Sequence, residues 1–276
     1  MKTLNQTYSL SNNVTIPKIG FGTWQIEAGD SAYNAVTTAL KNGYRHIDTA
    51  AAYRNEKSVG EAIRDSGIPR EEIFVTSKLE SHIKSYQETL DAFEKTMIEL
   101  NLDHLDLYLI HAPWPWSEMG IDCDEGNVQA YKAMEKLYKD GRIRAIGVSN
   151  FNPHDLQNII DNTEITPHVN QIAYFIGIDQ KETIDFCRQH GIFVEAYSPL
   201  GIGYLLENDT VQEIAKKYQV TPAQICIRWC LDKGTAPLPK SVTESRIIEN
   251  THVDFEIKPE DMEILDNVKG DPRRWN

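Results

Sequence analysis

Hydrophobic and polar residues follow two alternating patterns along almost the whole chain. Short runs rich in β-branched and aromatic residues predict strands, whereas longer segments with an apolar residue every third or fourth position predict helices. Eight runs have the strand pattern: 20–24, 46–50, 73–78, 105–111, 145–150, 168–174, 193–200 and 236–241. A hairpin around Ser11–Asn13 is expected ahead of them. The chain is therefore expected to form a hairpin and then strands that alternate with helices.

Helical periodicity occupies the intervals between the strand-like runs. The clearest helix is predicted at about 85–100, and one apolar stripe runs through it: Leu90, Phe93, Met97 and Leu100. Two further helices are expected at about 30–42 and 55–66. The segment TPAQ at 221–224 combines an N-cap threonine, a proline in the first turn and a glutamine at N3, which predicts another helix start.

Alternating strands and helices indicate a parallel sheet that helices cover on the outside. Eight such units in 276 residues predict a (β/α)8 barrel, or TIM barrel, in a single domain over 1–276 with a short N-terminal β-hairpin. The alternative is an open doubly wound sheet, which would need a GxGxxG turn after an early strand. No such motif occurs, and Gly20 and Gly22 in GFGTW lack the third glycine.

Composition and charge limit the classes of partner. The net charge of -13 argues against nonspecific binding to nucleic acid or to an anionic membrane. The N-terminus lacks the apolar core of a signal peptide, and no apolar run reaches the roughly 18–20 residues that span a bilayer. We expect a cytoplasmic protein, monomeric, that binds a small molecule rather than nucleic acid or a membrane.

The four cysteines are too few and too scattered to predict a disulfide framework. Cys226 and Cys230 share a helical face, but a metal site would need two further ligands, and no histidine is nearby in sequence. Buried free thiols in a reducing cytoplasm are the simpler interpretation, and no metal is expected.

Four chemically distinctive residues lie at or just after the ends of successive strand-like runs: Asp48, Tyr53, Lys78 and His111. In a barrel, the C-terminal ends of the strands carry the functional residues. Each residue alone has an ordinary structural explanation, such as a helix cap, packing or a solvated charge. Together on one face of a barrel they predict a catalytic site.

These residue types suit the proton-donating step of a carbonyl reduction. A tyrosine has an unperturbed pKa of about 10, a buried ammonium nearby lowers that pKa, and a carboxylate keeps the ammonium charged. An imidazole beside the phenol can orient a carbonyl oxygen. Tyr53 is therefore expected to donate a proton to a developing alkoxide, with Lys78 and Asp48 behind it and His111 beside it.

Long ordered motifs over essentially the whole chain resemble the aldo-keto reductase family. They include GFGTWQ, GYRHIDTAAAYRNEKSVGEAI, VTSKL, LDLYLIH, GRIRAIGVSNF, NQIAY, VEAYSPLG, TPAQICIRW and LPKSVTESRIIEN. The resemblance implies a (β/α)8 barrel, NADPH as hydride donor, and reduction of aldehydes or ketones to alcohols. The short C-terminal segment DPRRWN is more similar to the small bacterial members than to the animal aldose reductases.

The resemblance also implies the residues that hold the cofactor. Contacts to the nicotinamide are expected from Ser149, Asn150 and Gln171, with Tyr197 stacked on the ring. The remaining cofactor contacts are assigned to Thr23, Ser198, Leu200, Gly201, Lys240, Ser241, Val242, Thr243, Arg246, Glu249 and Asn250. Within this set, Lys240 and Arg246 offer a compact cation and a planar donor fork for the ribose 2′-phosphate.

The predicted substrate pocket contains Trp24, Ala112 and Trp114. Relatives commonly carry a large aromatic residue after the catalytic histidine, where this chain has Ala112, so a wider pocket is expected unless Trp114 or Trp116 fills the space. The motif NQIAYFIG also departs from the family pattern at Ala173 and Phe175.

Two other functions remain open from the sequence. A nonenzymatic relative could bind the nucleotide in a regulatory or structural role, although the intact set of four residues favours an enzyme. A metal hydrolase on the same barrel would need convergent histidine and carboxylate ligands. Only Asp48 and His111 qualify, and Lys78 beside them would repel a metal ion.

Overall fold

The computed structural model describes residues 3–270, and the C-terminal segment DPRRWN lies outside the described residues. A hairpin of β1 (Thr7–Ser9) and β2 (Thr15–Pro17) precedes eight parallel strands. These are β3 (Phe21–Gly22), β4 (His46–Asp48), β5 (Phe74–Leu79), β6 (Leu105–Ile110), β7 (Ile143–Ser149), β8 (Val169–Ala173), β9 (Phe193–Tyr197) and β10 (Ala236–Leu238).

Helices connect the strands on the outside of the sheet. They are α1 (Asp30–Lys41), α2 (Glu56–Asp65), α3 (Tyr86–Leu100), α4 (Asp124–Lys139), α5 (Pro153–Asn162), α6 (Lys181–Gln189), α7 (Asp209–Tyr218), α8 (Pro222–Asp232), α9 (Glu244–Glu249) and α10 (Pro259–Asp266). The predicted capping box at the start of α8 is present, with Thr221 and Gln224 bonded reciprocally. No helix within residues 3–270 is long and apolar enough to cross a membrane.

Each strand pairs with the next along the chain, so the sheet curves into a barrel. Two backbone hydrogen bonds join its first and last strands: Gly20 N–H donates to Pro237 O and Gly22 N–H to Pro239 O, both at 3.1 Å. The eight-stranded parallel barrel and the hairpin confirm the predicted fold.

The glycines of GFGTW serve the closure of this barrel. A Cβ added to Gly20 would lie 2.4 Å from Leu238 Cδ2 and 2.6 Å from His46 Nδ1, which no side chain tolerates. A Cβ on Gly22 would lie 3.2 Å from the Leu238 carbonyl oxygen. The pair of glycines that resembles part of a nucleotide motif therefore allows β3 to approach β10 closely.

The period-two alternation of the strands divides the core into two parts. Outward residues of the strands pack against the helices in one large apolar cluster. Inward residues at the N-terminal end of the barrel form a second cluster that includes Leu107, Ala145 and Val169. Leu10 and Ile16 of the hairpin complete this second cluster, so the hairpin closes the bottom of the barrel and leaves the C-terminal end for the site.

Four of the predicted strands continue at least two residues past the end of the observed strand. The runs 20–24, 46–50, 193–200 and 236–241 leave the sheet after Gly22, Asp48, Tyr197 and Leu238. The reason is visible after β9, where Ser198 has a φ of 51° in the left-handed region and turns the chain away. The residues beyond each strand end form loops at the mouth of the barrel.

Candidate active site

The structure brings together the four residues singled out at the strand ends. Asp48 is the last residue of β4, Lys78 lies in β5, and His111 directly follows β6. Tyr53 lies in a short 3-10 turn, Ala51–Tyr53, between β4 and α2. Because the side chains of alternate strand residues face the same side, Asp48 and Lys78 both point into the barrel, toward its C-terminal end.

Lys78 is the centre of this group. Its fully buried ammonium donates to Asp48 Oδ1 at 2.7 Å, to the Thr49 carbonyl oxygen at 3.0 Å and to Tyr53 Oη at 3.4 Å. Burial acts to lower the pKa of Lys78, but the Asp48 carboxylate and Tyr53 outweigh it, so the pKa is raised. Lys78 is therefore a charged group with all three N–H bonds directed at fixed acceptors.

Asp48 has both carboxylate oxygens occupied. Oδ1 accepts from Lys78, and Oδ2 accepts from Gln171 Nε2 at 2.8 Å. An ammonium at 2.7 Å stands where a cation would approach Oδ1. This arrangement disfavours the metal-hydrolase alternative at these residues, since a metal would have to displace Lys78.

The hydroxyl of Tyr53 keeps its proton at neutral pH. Burial raises the pKa of Tyr53 above its usual value of 10.0, and the Lys78 ammonium acts in the opposite direction without cancelling that effect. The lowering that the sequence led us to expect from Lys78 is thus present but smaller than the effect of burial. The phenol is in the form that can donate a proton.

His111 lies against Tyr53 as a neutral imidazole. The two rings meet edge to face with centroids 5.5 Å apart. Burial, and then the Lys78 ammonium, lower the pKa of His111 to about 3. Its Nδ1 is buried and accepts or donates no hydrogen bond within residues 3–270. A neutral imidazole beside the phenol can donate its one N–H to a carbonyl oxygen without adding charge.

A second layer beneath these four residues was not predicted. Gln171 of β8 and Glu195 of β9 are partners in the strand register, and Gln171 Nε2 donates to Glu195 Oε2 at 3.0 Å. His46 of β4 lies on the other side of Glu195, with Nε2 3.6 Å from Glu195 Oε1. The available signal was a polar residue at both inward-facing positions of HID and at the central, inward-facing position of FVEAY.

The predicted nicotinamide residues form a connected group on β7, β8 and β9. Ser149 Oγ donates to the Gln171 carbonyl oxygen at 2.8 Å, and Asn150 Nδ2 donates to the His111 carbonyl oxygen at 3.0 Å. Tyr197 Oη donates to Asn150 Oδ1 at 2.7 Å. Asn150 holds this position with a φ of 64°. The group is held in place by the protein's own hydrogen bonds.

The other predicted cofactor residues lie after β3, β9 and β10, in loops except for Arg246 and Glu249, which are in α9. Thr23 is fully buried, and its hydroxyl donates to the Asp48 carbonyl oxygen at 3.0 Å. Ser198 and Gly201 have φ angles of 51° and 57° in the loop after β9. The segment after β10 contains buried and exposed positions. Ser241 and Asn250 are buried, Leu200 and Glu249 are half-buried, and Lys240, Val242, Thr243 and Arg246 are exposed.

Two cations follow β10: Lys240 in the loop and Arg246 in α9. Both side chains are exposed, and within residues 3–270 neither forms an ion pair. The chain carries 41 acidic residues against 28 basic ones, so acidic partners are abundant. Two unpaired cations after β10, next to the strand that bears Tyr197, fit an anionic ligand such as the 2′-phosphate of NADPH.

Aromatic side chains surround the mouth next to His111. Trp24 is 43% exposed, which leaves it free to wall a pocket rather than fill the core. Trp116, not among the predicted substrate residues, lies edge to face with His111 at 5.9 Å and with Trp114 at 5.0 Å. Ala112 is fully buried, and Lys84 Nζ donates to its carbonyl oxygen at 2.9 Å. Trp116 therefore lies against the His111 ring, on the loop after β6.

The chain is similar to known proteins over nearly its full length. A model of the Aldo/keto reductase family matches residues 18–269. Glyoxal reductase from Bacillus subtilis (strain 168) is 46% identical over 271 residues, which cover 98% of this chain and 95% of that protein. Glycerol 2-dehydrogenase (NADP(+)) from Saccharomyces cerevisiae (strain ATCC 204508 / S288c) is 42% identical and is covered over 92% of its length, against 96% of this chain.

A solved structure agrees with the same assignment. The crystal structure of an aldo/keto reductase from Brucella melitensis superposes with a TM-score of 0.89 at 42% sequence identity. The match covers 95% of this chain and 97% of that one. The likeness therefore extends over the barrel and the loops at its mouth.

Proposed function

The chain belongs to the aldo/keto reductase family, and we propose that it reduces aldehydes and ketones to alcohols with NADPH, using Tyr53 as the general acid. Membership makes it an oxidoreductase that acts on carbonyl groups. The observation that carries the finer proposal is the fully buried Lys78 ammonium, which contacts both Asp48 and Tyr53 Oη.

The residues present fit a bound NADPH. The polar side chains of Ser149, Asn150 and Gln171 suit the carboxamide of the nicotinamide, and Tyr197 suits its ring. Lys240 and Arg246, which lack ion-pair partners within residues 3–270, suit the 2′-phosphate. NADPH bound there supplies the hydride that adds to the carbonyl carbon and leaves negative charge on the substrate oxygen.

The protein's part is to orient the carbonyl and deliver a proton. His111 donates one N–H hydrogen bond that holds the substrate oxygen near Tyr53 Oη. Tyr53 then gives its proton to that oxygen, so the phenol O–H bond breaks and the O–H bond of the alcohol forms. The Lys78 ammonium stabilises the phenolate that results, and Asp48 keeps Lys78 charged and in place.

The substrate site is proposed at the aromatic mouth, among Trp24, Trp114 and Trp116, with Ala112 beneath it. Exposed and half-buried indoles around a proton donor suit compounds with an apolar side next to a carbonyl. The similar Bacillus protein is named for glyoxal. Small aldehydes and dicarbonyls are therefore the first compounds to test.

We further propose that the protein works as a monomer in the cytoplasm. All four cysteines are free thiols, and Cys187, Cys226 and Cys230 are buried. Free thiols in the core suit a reducing compartment. Sedimentation of the purified protein at micromolar concentration tests the first part, with a dimer as the contrary result.

The function is tested by following NADPH oxidation with a panel of aldehydes, dicarbonyls, ketoesters and sugars. We expect turnover with at least one class, formation of the alcohol, and weaker activity with NADH. The Tyr53→Phe protein serves as the inactive control, since it keeps the ring and the fold. A protein that binds NADPH but reduces no compound in the panel would support the nonenzymatic alternative.

A further inference from the structure

We propose that Glu195 is a positioning residue that sets the orientation of the Gln171 amide and thereby links the nicotinamide contact to Asp48. The inference rests on the proposed NADPH-dependent function. It concerns a buried carboxyl group that the proton-transfer steps do not use.

The Gln171 amide has only one possible orientation in this setting. Its Nε2 donates to Asp48 Oδ2 at 2.8 Å and to Glu195 Oε2 at 3.0 Å. An amide nitrogen has two hydrogens, and these two carboxyl groups take both. The Gln171 oxygen is therefore the end left for the cofactor, so Gln171 can accept from the carboxamide N–H₂ but cannot donate to it.

Two carboxyl groups accept from Gln171, those of Asp48 and Glu195, and only Glu195 makes no other hydrogen bond within residues 3–270. Asp48 also holds Lys78, whereas Glu195 Oε1 has no hydrogen-bond partner within residues 3–270. The two groups are fixed by register, since Gln171 and Glu195 are directly paired between β8 and β9. Without Glu195, one Gln171 hydrogen would be unpaired and Asp48 alone would hold the amide.

The surroundings of Glu195 would otherwise disfavour a carboxyl group. Glu195 and His46 have no exposed surface, and the other charged or polar neighbours are Asp48, Lys78 and Gln171. Burial, and then the Asp48 charge, raise the pKa of Glu195 to about 8, so at neutral pH it is a neutral acid. A buried polar group without a compensating bond costs free energy, and the bond to Gln171 is the compensation found here.

The chain of contacts runs from Glu195 through Gln171 and Asp48 to Lys78 and Tyr53. Each step is a hydrogen bond of 3.4 Å or less. Loss of Glu195 should therefore weaken cofactor binding without removing any residue that touches the cofactor or the substrate.

The experiment measures the Kd for NADPH by fluorescence, without substrate, in Glu195→Gln and Glu195→Met. Glu195→Gln keeps an acceptor oxygen and should bind within about twofold of the parent. Glu195→Met has similar length but no acceptor, and it should weaken binding roughly fivefold to tenfold, the worth of one hydrogen bond. Glu56→Gln and Glu56→Met are matched controls, because Glu56 is a buried carboxyl that bonds Ser77 outside the barrel.

Two further measurements separate positioning from general damage. The Gln171→Met protein should lose affinity by a similar factor, and the double variant with Glu195→Met should lose no more, because both remove the same contact. If Glu195→Met does not fold, Glu195→Asp makes the same test, since it withdraws the carboxyl from Gln171 by one methylene.

The inference is overturned if Glu195→Met, or Glu195→Asp in its place, binds NADPH as tightly as the parent. It is also overturned if Glu195→Gln is as weak as the methionine variant, or if the losses in the double variant simply add. These outcomes differ from failure of the proposed function, in which the parent itself neither binds NADPH nor reduces a carbonyl compound.

Discussion

Within the part of the chain that the structure describes, charged side chains are paired in the interior of the barrel and unpaired at two positions of its mouth. Inside, Asp48 and Lys78 are buried and every polar hydrogen of Lys78 has an acceptor. At the mouth, Lys240 and Arg246 are exposed and form no ion pair within residues 3–270. The comparison indicates that the buried groups are organised before any ligand arrives, whereas the cations at the mouth remain available to one.

The free-energy cost of removing a charge from water explains this difference. A charge removed from water is tolerated only when it is paired and hydrogen-bonded, so interior positions must be complete in the protein alone. Exposed charges have no such requirement because water solvates them. Substitutions in the interior should therefore affect the chemical step, and substitutions at the mouth should affect which molecule binds.

The largest effect is expected from Tyr53→Phe, which removes the proton donor and keeps the ring. We predict that kcat falls at least about a hundredfold, within the usual range for general acid catalysis, while the Kd for NADPH stays within about threefold. Steady-state kinetics and fluorescence titration measure the two quantities. Tyr131→Phe is the matched control, because its buried hydroxyl has no hydrogen-bond partner within residues 3–270. Near-normal turnover by Tyr53→Phe would exclude Tyr53 as the acid.

Arg246→Ala tests the role of the exposed cations at the mouth and should change only the affinity for NADPH. A charge-assisted hydrogen bond contributes roughly 1.5–3 kcal/mol, so NADPH should bind about one to two orders of magnitude more weakly. NADH, which lacks the 2′-phosphate, should bind almost as before. Arg142→Ala is the control, since Arg142 is a half-buried arginine that pairs with Glu94 before β7. Equal weakening of both cofactors would show that Arg246 does not contact the phosphate.

Trp116→Ala tests which residue closes the pocket beside His111. Removing the indole that lies 5.9 Å from the His111 ring should raise kcat/KM for a bulky aldehyde relative to a small one, by roughly tenfold. Ala112→Trp should shift the same ratio in the opposite direction if position 112 borders the pocket. Met119→Ala, on the same exposed loop, is the control. If the ratio is unchanged in both Trp116→Ala and Ala112→Trp, the substrate binds elsewhere.

The smallest effect is expected in the pH dependence of stability. His46 and His111 have pKa values lowered to about 3 from 6.5, so they favour unfolding as pH falls below 6.5. Glu195 has a pKa raised to about 8 from 4.5, so its contribution is complete below 4.5 and is lost as pH rises to 8. Two histidines outweigh one carboxyl group between pH 4.5 and 6.5, so for these three groups the Tm should be highest near pH 6.5.

Glu195→Gln isolates the alkaline side of this profile. An amide does not titrate, so the fall in Tm between pH 6.5 and 8 should become shallower by a few degrees, at about 2–4 °C per kcal/mol for a chain of this size. Calorimetry of both proteins from pH 4 to 8.5 provides the measurement. Parallel curves in that interval would mean that Glu195 does not change its ionisation there.

The amino-acid sequence by itself determined the barrel and the four central residues. Periodicity of hydrophobic residues is a local property, so it predicts strands, helices and the capping box at Thr221 without knowledge of their neighbours. Parallel strands place their C-terminal ends at one edge, so Asp48, Lys78 and His111 were predicted to lie together. The family motifs supplied the expected cofactor residues, whose roles remain predictions.

Tertiary structure alone decided which side chains meet at each level of the barrel. The alternation in FVEAY turns Glu195 inward, but only the register of β8 and β9 places it against Gln171, and only closure of the barrel brings Asp48 to the same amide. Trp116 likewise reaches His111 through a loop whose path no periodicity describes. Burial raises the pKa of Tyr53, whereas the sequence predicted that Lys78 would lower it. Desolvation depends on everything packed around a group rather than on its neighbours in sequence.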